Sequence, residues 1–177
     1  MQPLDQQSTP DYPGIDGFLG TRGSLMLDVV FLAMFAVVPL LLFSVYLVRY
    51  RRLFQLHKWL QLGTGIVLLI AVTAFEVDMR FITREWALRA APSPYFDVDN
   101  RWGCPVGISI IIHLLFAVPT LLLWIYVNVQ AVRKFAAPPQ PNAYSHAHML
   151  WGRAAGIGML MTAVTGWIYY YLAFVAS

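Results

Sequence analysis

Four long apolar runs divide the chain, at residues 25–48, 57–79, 106–132 and 149–175. Asp28 is the only charge in the first, which stops at Arg49, Arg51 and Arg52. The second is uncharged from Trp59 to Phe75 and ends in Glu76, Asp78 and Arg80. The third contains His113, and the fourth carries Arg153 in its first turn. Each run is long enough to cross about 30 Å of hydrocarbon as a helix. None alternates with a period of two, so the pattern does not suit a closed barrel. It predicts an all-α protein: an integral membrane four-helix bundle. Residues 25–175 form a single four-span domain, residues 1–24 a polar extracytoplasmic segment, and residues 80–105 a long extracytoplasmic loop.

Composition narrows the class further. The chain has 177 residues, of which 59% are hydrophobic and 12% charged, against roughly 25% charged in soluble domains. Aromatic residues make up 15%, which argues against disorder and against a nucleic-acid module. The expected partner is the lipid bilayer, with a homo-oligomer left open and no nucleic acid. A single cysteine, Cys104, allows no intrachain disulfide and no thiolate cluster.

Topology follows from the cations near the span ends. The first link holds Arg49, Arg51, Arg52 and Lys58, and the third holds Arg133 and Lys134, with Arg153 just beyond. On the other side Arg22, Arg80, Arg84, Arg89 and Arg101 are mixed with Asp5, Asp11, Asp16, Asp97 and Asp99. Both termini are therefore expected outside. The opening MQPLDQQSTPDYPG lacks the basic start and short apolar core of a cleavable signal, so the first span is expected to be retained.

An internal repeat emerges when the halves are aligned. HKWLQLGTGIVLLIAVTA from His57 matches HMLWGRAAGIGMLMTAVT from His148, and Pro39 matches Pro119. Two copies of a helical hairpin result, each with a histidine at the start of its second helix. Gly63, Gly65, Gly152, Gly156 and Gly158 are expected to permit close helix contact, although glycine is simply more frequent in membrane helices.

The chemistry must rest on few polar groups, because an ionisable residue within a membrane is expensive to leave unpaired. At one end, His57 and His148 are equivalent in the repeat. They could ligate one haem iron from two helices, join a copper site, or merely cap basic helix ends. His146 is expected in a loop. At the other end, Glu76, Asp78 and His113 offer an oxygen and nitrogen set: a metal site, a proton relay, or a structural pair in which one carboxylate meets His113. Asp28 is expected at the interface, where the helix dipole favours it. No Walker loop, dinucleotide fingerprint, HExxH, CxxCH or GxSxG motif occurs, so an enzyme is not the leading expectation.

The basic linker followed by LHK at His57, the IIHLLFAVP segment around His113, HMLWGRAAG from His148 and the closing TAVTGWIYYYLAF resemble the domain of unknown function 420 family of small bacterial membrane proteins. The resemblance covers about residues 20–174. It implies four membrane helices in the bacterial inner membrane, with His57, His113 and His148 as family histidines handling copper or haem b. It also implies a link to maturation of haem-copper terminal oxidases and contact with respiratory oxidase subunits. Where such proteins carry a further histidine near the outer end of span two, this chain reads FEVDMR, so Glu76, Asp78 or Met79 would substitute. Two other roles remain open: a cytochrome b-like electron carrier and an accessory subunit of a respiratory complex. The long loop exposes Trp86, Tyr95, Phe96 and Trp102 to an interfacial or docking role.

Overall fold

The computed structural model describes residues 12–177. It is all helical, and its four long helices are apolar enough to cross a membrane. They are α1 (Leu25–Tyr50), α2 (Phe54–Val77), α4 (Pro105–Lys134) and α5 (Ser145–Tyr170), with a short helix α3 (Trp86–Ala90) in the long loop. A π-turn extends α2 over Asp78–Ile82, and another extends α5 over Tyr171–Val175. The protein is thus a multi-pass membrane protein. Outward-facing residues such as Leu42, Ile66, Ile70 and Leu115 are exposed along the bundle, as a lipid-facing surface requires.

Helix boundaries have local causes. The Ser24 side chain accepts from the Leu27 amide and starts α1, and Cys104 caps α4 ahead of Pro105 at its first position. Arg52 takes a φ of 55° in the three-residue link that turns α1 into α2.

The two hairpins are equivalent in register as well as in sequence. Pro39 is the fifteenth residue of α1, and Pro119 the fifteenth of α4. His57 is the fourth residue of α2, and His148 the fourth of α5. α1 packs on α2, α4 on α5, and α1 on α5, whereas α2 and α4 touch only sparsely. The half nearer the start of α1 is tight: Phe31 stacks on Tyr170 and Phe35 on Trp167, with ring centroids 4.1 and 4.2 Å apart. Deeper in, Val37, Leu68, Trp124, Val127, Ala155 and Met159 form a second core.

Among the glycines of the repeat, only Gly158 makes the close approach expected of it. A Cβ there would lie 2.4 Å from Thr120 Oγ1. Gly63 and Gly152 face open space, and Gly65 and Gly156 meet only ordinary contacts. Glycine enrichment without packing accounts for Gly63.

At the end holding both described chain ends, the long loop is locked down. Arg89 is buried and donates to the carbonyls of Pro13, Arg22 and Gly23, with Asp16 at 3.0 Å. Arg22 donates to the carbonyls of Ala173 and Ala176, and Ser93 to that of Leu172. The loop aromatics divide. Trp86 and Phe96 pack against the core around Tyr169 and Phe174, while Tyr95 and Trp102 are exposed.

Candidate functional site

At the end opposite the two short links the histidine and the carboxylates go separate ways. His113 Nδ1 pairs with Thr165 Oγ1 at 3.2 Å, and its ring lies against Gly166. Asp78 is buried and accepts from Ser24 Oγ at 3.1 Å and Thr83 Oγ1 at 3.0 Å. Glu76 faces outward in an i,i+4 pair with Arg80. The expected partnership of His113 with a carboxylate is therefore replaced. Hydroxyls satisfy His113 and Asp78, and the helical separation of Glu76 from Asp78 turns Glu76 away. Asp28 lies in the first turn of α1, as expected, but is fully buried and accepts from Tyr170 Oη and the Leu19 amide.

At the opposite end the structure brings His57 and His148 together. Their ring centroids are 6.4 Å apart and their planes cross at 80°. His57 Nδ1 lies 3.0 Å from the Ser44 carbonyl and 2.8 Å from Ser44 Oγ, to which Gln61 also donates. A carbonyl can only accept, so Nδ1 carries the proton and Nε2 keeps a free lone pair, the tautomer that metal-ligating histidines adopt. His148 is held differently. Its ring packs against Phe135 and Tyr144, and its Nδ1 is buried with no hydrogen-bond partner among the described residues. The Tyr144 hydroxyl, one turn earlier, is likewise buried and without a partner there. Burial pushes this phenol above its ordinary value, and Tyr126 adds to the rise. His146 is exposed in the first turn of α5, not in a loop.

Both histidines line a cavity of about 920 Å³ bounded by all four long helices. Its α1 wall begins at Val38 and its α4 wall at Trp124, so the space starts about level with Pro39 and runs toward the links. The charge balance around it is one-sided. All nine acidic residues fall within 5–28 or 76–99, whereas Arg49, Arg51, Arg52, Lys58, Arg133, Lys134 and Arg153 gather at this end. Arg49, Arg52, Lys58 and Arg153 line the cavity itself. The site therefore favours an anionic ligand.

Among the described residues no three of His, Cys, Asp and Glu converge. The paired donors here are two imidazoles, a set that would also serve a porphyrin iron. At a metal–nitrogen distance of about 2.0 Å, imidazoles on opposite faces of one ion have ring centres roughly 6 Å apart. The observed separation fits. No family model, curated protein or solved structure matches the chain. The site's own geometry and chemistry therefore carry its functional reading.

Sequence reasoning paired His57 with His148 through the repeat but missed their surroundings. Ser44 had a signal, as the one aliphatic hydroxyl in the first apolar run. Gln61 and Tyr144 also had one, each lying four residues from a histidine.

Proposed function

We propose that the protein handles haem in a bacterial inner membrane, as a factor serving maturation of haem-copper terminal oxidases, with His57 and His148 as the iron ligands. The observation that carries this is the 6.4 Å separation of the two imidazole rings on a basic cavity of about 920 Å³, a volume within the range of about 300–1,000 Å³ usual for ligand sites. Arg49, Arg52, Lys58 and Arg153 would neutralise the porphyrin carboxylates. Bound haem would supply a one-electron iron couple, while the chain holds and orients it and excludes water. The positive-inside rule puts this end in the cytoplasm and both termini outside.

Unequal support of the histidines favours transient handling over a permanently loaded electron carrier. His57 is anchored through Ser44, but the buried Nδ1 of His148 has no such anchor among the described residues. Partners of ligating imidazoles strengthen metal affinity about 10- to 100-fold, so a site with one anchored ligand suits release.

The test is the reduced-minus-oxidised spectrum of detergent-purified protein titrated with haem b. One haem per chain, lost in both His57→Ala and His148→Ala, supports the reading. A colourless protein that binds copper through His113 would overturn it, as would uptake unchanged by both substitutions.

A further inference from the structure

The cavity is longer than its histidine layer requires. Along α5 its wall extends from Ser145 to Leu160, about 22 Å at 1.5 Å per residue. Its chemistry changes along that length. The link end presents the two histidines and the cations, whereas the inner end is formed by Val38, Leu41, Trp124, Ile157 and Leu160. Glycine keeps the inner wall smooth. A Cβ at Gly152 would meet nothing within 4 Å, and one at Gly156 only Leu41 Cδ2 at 3.7 Å. Four residues apart and both lining the cavity, these glycines hold space open instead of bringing helices together. A smaller cavity of about 230 Å³ shares Leu62, Asn128 and Val132 with the large one, so the space continues to the sparsely packed seam between α2 and α4. The inner end, lined by apolar side chains, does not hold water.

We infer that the inner half of the cavity holds a hydrocarbon chain, and that the ligand is a haem bearing a long isoprenoid substituent. Its ring lies between His57 and His148, its carboxylates meet the cations at the link end, and its chain follows the wall at Gly156 and Leu160. The seam between α2 and α4 admits it from the bilayer. This rests on the haem reading above and names the cargo of that site. The bilayer dissolves such a chain as well as the cavity does, so the chain contributes orientation more than affinity, and the decisive test is steric.

Full-length protein in detergent is titrated with haem b and, separately, with a farnesyl-bearing haem, and uptake is read from the reduced spectrum. Wild type takes up both. Gly156→Leu and, independently, Leu160→Trp keep haem b but weaken uptake of the chain-bearing haem by about tenfold or more, the scale of a lost steric fit. Helical circular dichroism verifies that each variant folds. Equal loss of both haems, loss of neither, or wild type refusing the chain-bearing haem would overturn the chain assignment while leaving the histidine ligands standing. Wild type binding neither haem overturns the haem reading itself, and the chain assignment with it.

Discussion

Tyr170, the last residue of α5, donates its hydroxyl to the carboxylate of Asp28 in the first turn of α1, tying the last span to the first. The same hydroxyl lies 2.6 Å from Thr21 Oγ1, and the Leu19 amide donates to the second carboxylate oxygen at 2.8 Å. A fully buried carboxylate is tolerated only when donors surround it in this way. Tyr170→Phe removes one donor and leaves the ring stack with Phe31, so it should cost about 1–3 kcal/mol. Thermal unfolding in detergent should show a drop of several degrees, and an unchanged midpoint would mean that the bond contributes nothing.

Arg89 organises the cap over the start of α1. Its guanidinium reaches three backbone carbonyls of the segment before α1, a fan of acceptors that a lysine ammonium cannot match. Arg89→Lys should therefore loosen residues 12–24, read as faster proteolysis there in the folded protein. Asp16 is mostly exposed, so Asp16→Asn should change stability by less than about 1 kcal/mol.

At the α4–α5 crossing, Gly158 faces Thr120. Gly158→Ala forces a methyl group against Thr120 Oγ1 and should cost about 1–3 kcal/mol. Thr120→Ala should restore most of the loss, giving a coupling that a double-mutant cycle can measure. Gly63→Ala, which meets open space, should be neutral or stabilising by up to about 1 kcal/mol through helix propensity.

His113 is satisfied within its own hairpin by Thr165, far along α4 from the cavity. His113→Ala should lower thermal stability yet leave haem uptake and its spectrum unchanged. A lost or shifted spectrum would place this histidine in the ligand site.

The helical architecture was legible because apolar run length is a one-dimensional property, and the four runs match the four long helices to within a few residues. The His57–His148 pairing was legible because duplication put both at the same helical register. Partner choice at the end holding His113 and Asp78 was not legible. Whether Asp78 meets His113 or Ser24 depends on how α2 is rotated against α1 and α4, and a helix that is apolar all round carries no stripe to fix that rotation. Arg89 was hidden for a different reason: its acceptors are backbone carbonyls, which leave no mark in a sequence. The cavity, too, arises from sparse packing of α2 on α4 and could not be read from either helix alone.

Tyr144 provides the test at the ligand end that does not depend on a metal. Its hydroxyl is buried beside His148 and has no partner among the described residues, a situation that costs about 1–3 kcal/mol in the ligand-free protein. Tyr144→Phe keeps the ring against Phe135 and removes that cost, so ligand-free stability should rise by about 1 kcal/mol. The pH dependence has a definite sign. The phenol titrates above its ordinary value of 10.0 when folded, so its contribution to stability is complete below that pH. It declines as the pH rises from there through the folded value, where the unfolded chain ionises first. Unfolding midpoints measured between about pH 9 and 11 should therefore fall more steeply for wild type than for Tyr144→Phe. Parallel curves would show that the hydroxyl is solvated, and with it that end of the cavity.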